Sequence, residues 1–176
     1  MLASRELARA PFPPIKAENA LAVGLGELKL TRTGELVAYS LGSCVAICLH
    51  DPHTGVGAMA HVVLPAAPAA APQGLPGKYA DTAVPALLDA LRREGADPLR
   101  LRCWLAGGAA VLAIGGAGSL PKIGDRNVEA VKAALTQVRL RVLAQATGGT
   151  QGRTVRLDAT KGLVLVRTVG GPEVQL

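Results

Sequence analysis

The chain has 176 residues, enough for one domain with a real core, and 49% of them are apolar, which excludes disorder throughout. Its net charge is +6, but the basic residues are scattered and only 2% of positions are aromatic; that excludes a stacking platform for single strands, and no nucleic acid partner is expected. Gly, Pro or charge interrupts every apolar run before it reaches membrane-spanning length, so no membrane insertion is expected.

Residues 1–19 read as a flexible N-terminal tail and 20–176 as a single folded domain. The tail lacks the apolar stretch of a secretory signal, which points to the cytoplasm and to reduced thiols. Three cysteines cannot form a fully paired disulfide framework. Residues 22–30 and 34–41 read as strands joined by a turn at Thr33-Gly34. Residues 44–50 and 56–65 read as the two arms of a hairpin, with turn chemistry at Asp51-Pro52-His53-Thr54-Gly55. The Ala/Pro-rich run 66–77 reads as a loop. A helix follows, with Val84, Leu87, Leu88 and Leu91 on one face, Asp81 or Thr82 as N-cap and Gly95 as its stop. Alternation over 99–105 predicts a strand with Leu99, Leu101, Cys103 and Leu105 on one side. After a glycine-rich passage, a second helix opens near Asn127, burying Val128, Val131, Leu135 and Val138, with Glu129 in its first turn. Residues 140–144 read as a strand, and a last hairpin turns about Thr160-Lys161-Gly162. The sum is an α+β fold with two main helices outside a largely antiparallel sheet system.

The stretch LGSCVAICLHDPHTGVGAMAHVVLP (41–65) holds Cys44, Cys48 and all three histidines, His50, His53 and His61. If Asp51–Thr54 form a four-residue loop, His50 faces Gly55 and Cys44 stands opposite His61 on the same face of the hairpin. A loop one residue longer or shorter puts the two on opposite faces. An imidazole beside a thiol accepts its proton and makes it a nucleophile. The small residues Gly42 and Ser43 leave room for substrate and free backbone N–H groups for an oxyanion. Two other readings of the stretch stand beside catalysis. Buried cysteine is commonly small apolar filler, which suits Cys48 and Cys103. A metal site would use Cys44, Cys48, His50 and His53 or His61, but the spacing matches no standard zinc pattern, and no metal is expected. The Gly-rich passage lacks both GK[ST] and GxGxxG order, so no phosphate-bearing cofactor is expected either.

The blocks LGSCVAICLHDPHTGVGAMAHVVLP, KYADTAVPALLDAL, GGAAVL, IGDRNVEAV and GGTQGRTVRL stand in the order and spacing of the CheD family, the chemoreceptor glutamine deamidases of bacterial and archaeal chemotaxis, which the chain resembles over about residues 20–170. The resemblance implies an α/β/α-like sandwich related to toxin-type cysteine deamidases. It implies hydrolysis of glutamine side-chain amides on chemoreceptor cytoplasmic helices, possible receptor methyl-ester hydrolysis, and a CheC-type phosphatase as partner. It assigns the nucleophile to Cys44 and the base to His61, with no cofactor. In the family a Thr commonly stands six positions before the Cys; here that position is Ala38. An orienting hydroxyl is then expected from elsewhere, with Ser40 and Ser43 the candidates and Gly42 beside them as oxyanion support. A second departure is Ala146, in place of an Asp before the Gly-Gly turn. The alternative class is a non-enzymatic CheD-like module that docks on receptors or on a CheC-type phosphatase; Ala38 favours it, and the Cys44–His61 pair favours the enzyme.

Overall fold

The computed structural model describes residues 20–69, 74–111 and 122–176. The expected tail over 1–19, part of the Ala/Pro-rich loop and most of the Gly-rich passage lie outside the described residues. In chain order the described elements are β1 (Ala20–Ala22), β2 (Leu28–Thr31), β3 (Glu35–Leu41), β4 (Val45–His50), β5 (Gly57–Val62), α1 (Ala80–Arg93), β6 (Arg102–Gly107), α2 (Ile123–Gln137), β7 (Val142–Thr147), β8 (Arg153–Asp158), β9 (Leu163–Thr168) and β10 (Glu173–Gln175). They form two five-stranded sheets, β2-β5-β4-β6-β7 and β1-β3-β8-β9-β10. The pairs β1/β3 and β6/β7 are parallel and the remaining pairs antiparallel.

β4 reads VAICLH and is buried at every position, so both its faces need cover. Val45, Ile47 and Leu49 pack under the helices with Val84, Leu87, Leu91, Val131 and Leu135. Ala46 and Cys48 face the second sheet with Met59, Trp104, Leu36 and Leu157. Each fully buried Leu or Ile in these layers contributes about 1.5–3 kcal/mol. Both helices therefore lie on one side of the β2-β5-β4-β6-β7 sheet. The expected α+β class and outer helices are present, but the layers run helix, sheet, sheet, because the second face of β4 is covered by strands where an α/β/α-like sandwich would place helices.

Several expected elements differ in detail. β2 and β3 part after their turn, β2 pairing with β5 and β3 with β8, so they belong to different sheets. Leu99 is 94% exposed, because Pro98–Arg100 form a single 3-10 turn that Asp97 caps by accepting the Leu99 N–H at 2.9 Å; the strand starts only at Arg102. α1 buries Val84, Leu87, Leu88 and Leu91 as the spacing predicts, and Gly95 follows it with φ +81. Its start is two residues earlier than an Asp81 cap would give and three earlier than a Thr82 cap, with Tyr79 at the N-cap; Asp81 instead accepts the Ala67 N–H at 3.1 Å and ties down the loop after β5. α2 begins at Ile123, so Asn127 is buried within it, Asp125 takes the first turn in place of Glu129, and Val138 beyond its end is 38% exposed. The early start has a steric basis. A Cβ on Gly124 would overlap the Gly108 carbonyl oxygen, and only glycine lets the first turn of α2 seat on the end of β6. No helix among the described residues is long and apolar enough to cross a membrane.

Candidate active site

The β4–β5 hairpin carries the site. His50 pairs with Gly57 and Ala46 with His61, and Asp51 N–H donates to the Val56 carbonyl at 3.0 Å. The four-residue loop is therefore Pro52–Gly55, with Gly55 in the left-handed conformation at φ +71. It has the expected length but lies one residue further along the chain. The slip moves the partner of His61 by two residues, from Cys44 to Ala46. Two residues preserve the face, so His61, Ala46 and Cys44 all lie toward the second sheet. Cys44 and His61 become diagonal neighbours, roughly 7–8 Å apart across the pair in an ideal ladder.

His61 is gripped from three directions. Its backbone N–H donates to the Glu27 carbonyl at 3.0 Å, and its carbonyl accepts the Gly26 N–H at 2.9 Å. Its ring Nδ1 lies 3.1 Å from the Val23 carbonyl oxygen. A carbonyl can only accept, so Nδ1 carries the proton and Nε2 the lone pair. Val23 is itself held by its N–H to Val37 on β3 at 2.8 Å. The orienting group expected from a hydroxyl at Ser40 or Ser43 is thus the Val23 carbonyl, supplied by the turn between β1 and β2. A backbone carbonyl has no residue signature, which is why the sequence does not reveal it. Nε2 is buried and has no hydrogen-bond partner among the described residues. Burial pushes the imidazole below its ordinary range, with the Val23 carbonyl and the Glu27 carboxylate offsetting part of the shift.

Cys44 precedes β4 and is partly exposed at a cavity of about 670 Å³. Ser40, Gly42, Ser43, Ala109, Val111 and Lys122 line the same cavity. The three supporting candidates from the sequence therefore converge on it. Ser40 has φ 53, beside the register shift of β3 between Ala38 and Leu41; this strained bulge turns the chain toward the cavity. Ala38 itself is fully buried between the sheets, and Ala146 stands in β7 opposite Ala106. Burial pushes the Cys44 thiol up, with its own backbone N–H offsetting part of the shift. Burial thus disfavours the charged form of both groups.

The other candidates separate from this centre. His50 lies at the far end of β4, where its Nε2 donates to the Ala159 carbonyl at 3.0 Å. His53 sits on the loop, its backbone N–H bound to Asp51 at 2.9 Å. Cys48 and Cys103 are fully buried in opposite layers, and burial pushes the Cys103 thiol up to about 12. Among the described residues no group of three or more His, Cys, Asp or Glu is placed to hold a metal ion.

A family model described as CheD chemotactic sensory transduction matches residues 63–168. The chain is 48% identical over 158 residues to a probable chemoreceptor glutamine deamidase CheD of Symbiobacterium thermophilum, covering 88% of this chain and 96% of that one. It is 45% identical over 152 residues to the chemoreceptor glutamine deamidase CheD of Thermotoga maritima, covering 86% of this chain and 93% of that one. Among solved structures it is distantly similar to the Bacillus licheniformis hypothetical protein YfiH, at 11% identity and TM-score 0.41, over 69% of this chain and 50% of the other.

Proposed function

The chain belongs to the CheD family, and on that footing we propose that it deamidates glutamine side chains on the cytoplasmic helices of chemoreceptors. The observation that carries the reading is the partly exposed Cys44 at the cavity, on the same face as an imidazole whose tautomer the Val23 carbonyl has already chosen.

Cys44 Sγ attacks the glutamine Cδ as His61 Nε2 takes the thiol proton; a C–S bond forms and the carbonyl oxygen becomes an oxyanion. Rotation of the Cys44 side chain closes the resting gap, since such bonds tighten only with substrate in place. His61 then returns its proton to the leaving nitrogen, the C–N bond breaks and ammonia departs. Water attacks the thioester, His61 takes a water proton, and glutamate leaves with the thiol restored. The lowered imidazole basicity suits this double duty, because His61 must be unprotonated before attack and acidic after it. Ser40 and Ser43 line the substrate's side of the cavity, with Gly42 leaving room between them.

The same chemistry accommodates receptor methyl esters, with methanol leaving in place of ammonia. Action on receptor cytoplasmic helices calls for a cytoplasmic protein, and the family resemblance supports a CheC-type phosphatase as a binding partner. The test is incubation with receptor cytoplasmic fragments, with ammonia release and peptide mapping of Gln→Glu. Wild type should convert a small set of glutamines and Cys44→Ala none. Fragments that bind wild type yet keep every glutamine would return the binding-module reading.

A further inference from the structure

Asn127 on α2 is fully buried, and it touches the nucleophile's own chain. Its Nδ2 donates to the Ser43 carbonyl at 2.8 Å and to the Val63 carbonyl at 2.9 Å. The first acceptor belongs to the peptide that leads into Cys44; the second lies two residues past His61. Oδ1 is buried without a partner among the described residues. A flipped amide would set Oδ1 against two carbonyl oxygens, so the orientation is determined. Leaving a buried amide oxygen unpaired costs about 1–3 kcal/mol, and a helix needs no such residue for its own stability.

We propose that Asn127 is a positioning residue of the reaction: by holding the Ser43 carbonyl toward α2, it turns the Cys44 N–H toward the cavity as the oxyanion donor. The inference rests on the reading of Cys44 as nucleophile. In a trans peptide the C=O and the following N–H point opposite ways. Fixing the Ser43 carbonyl on the helix side therefore fixes the Cys44 N–H on the other. That N–H donates to no backbone carbonyl among the described residues, although the Cys44 carbonyl accepts the Gly108 N–H at 2.7 Å in the adjoining ladder. A donor that no backbone carbonyl takes, facing the sulfur of its own residue with its peptide plane fixed from behind, is placed to turn to an oxyanion formed on that sulfur. The second bond, to Val63, ties the same amide to the strand of His61 and so sets the spacing between nucleophile and base.

The test uses two reactions of Cys44. Acylation by p-nitrophenyl acetate forms a thioester through a tetrahedral oxyanion, with p-nitrophenolate leaving and His61 taking the thiol proton. Alkylation by iodoacetamide displaces iodide and develops no oxyanion. Asn127→Asp keeps the shape but loses the donor; Asn127→Ala removes it without adding charge, should the first not fold. In the folded variant, acylation of Cys44 and kcat for deamidation should fall about 10²-fold. KM and the alkylation rate should change less than about threefold on the same principle, which a merely loosened fold would not do. Equal losses in both reactions, wild-type acylation, or the failure of both variants to fold would overturn the proposal. A wild type that acylates in this Asn127-dependent way yet converts no receptor glutamine would refute the deamidase reading and leave the positioning role standing.

Discussion

Gly107→Ala is expected to damage both stability and turnover, and the damage follows from contacts at the end of β6. Gly107 has φ +117, a backbone conformation that side chains other than glycine's rarely adopt. A Cβ there would overlap the Cys44 carbonyl oxygen and stand 3.1 Å from the Cys44 carbonyl carbon and 3.2 Å from Val45 Cα. These are backbone atoms of a central strand and cannot rotate aside. Conformational strain costs about 1–3 kcal/mol. Separating the strands also loses the Gly108 N–H to Cys44 carbonyl bond of 2.7 Å, worth about 1 kcal/mol more. The total is about 2–4 kcal/mol, and the displaced atoms belong to Cys44, the proposed nucleophile. Gly95→Ala is the control: φ is +81 but nothing lies within 4 Å of its Cβ, so it should cost only about 1–2 kcal/mol. Urea unfolding of both variants and deamidation kinetics of the folded fraction read the difference. Equal destabilisation of the two, with wild-type turnover in Gly107→Ala, would refute the account of how β6 seats Cys44.

The kcat/KM profile should rise on an apparent pKa below 6.5, since burial holds the His61 imidazole below that value and only its neutral form accepts the thiol proton. It should fall only above 9.0, because the Cys44 thiol is pushed up and its loss of a proton leaves His61 without one to give ammonia; a rising limb above 7 contradicts this. His61→Ala should lower kcat by about 10²–10⁴-fold, while His53→Ala leaves it unchanged and His50→Ala changes thermal stability alone, as separate kinetic and melting measurements would show. Ala38→Thr should leave the rate within about threefold, because the Val23 carbonyl already fixes the tautomer, and should cost about 1–3 kcal/mol by overpacking a fully buried position; a large gain in rate would show that the hydroxyl was missing after all. Asp51→Asn should destabilise by about 1–3 kcal/mol at pH 7, where the Arg100 guanidinium at 2.8 Å holds the carboxyl below its usual range. That contribution is present above the unfolded carboxylate pKa and is lost as pH falls through the folded one, so urea midpoints of parent and variant should converge in acid.

The local chemistry of the chain is largely legible in its sequence, and the long-range arrangement is not. Period-3.6 spacing located the buried face of α1, and turn chemistry located the β4–β5 and β8–β9 hairpins. The loop sits one residue further along than its turn chemistry suggests, because Asp51 is polar and reads as turn while in the structure it extends the ladder to Val56. Cys44 keeps its face only because a loop of unchanged length slides the register by two. Leu99 leaves the predicted strand face since apolar alternation does not register the helical turn that Pro98 and the Asp97 cap impose. The parting of β2 and β3 between sheets is a tertiary event with no local signal. At the candidate site, residue types single out Cys44 and His61. The Val23 carbonyl and the two carbonyls on Asn127 are backbone atoms that any residue supplies, so they become visible only when the chain is folded.

The central claim is that Cys44 becomes covalently linked to the glutamine acyl group, and a quenched-flow experiment addresses it most directly. The protein is mixed with a receptor cytoplasmic fragment, stopped in acid during the first turnover, digested, and the Cys44 peptide examined by mass spectrometry. The account predicts a transient acyl adduct on Cys44, absent from Cys48 and Cys103, that decays as glutamate appears. Glutamate formation without any adduct, and undiminished in Cys44→Ala, would contradict it.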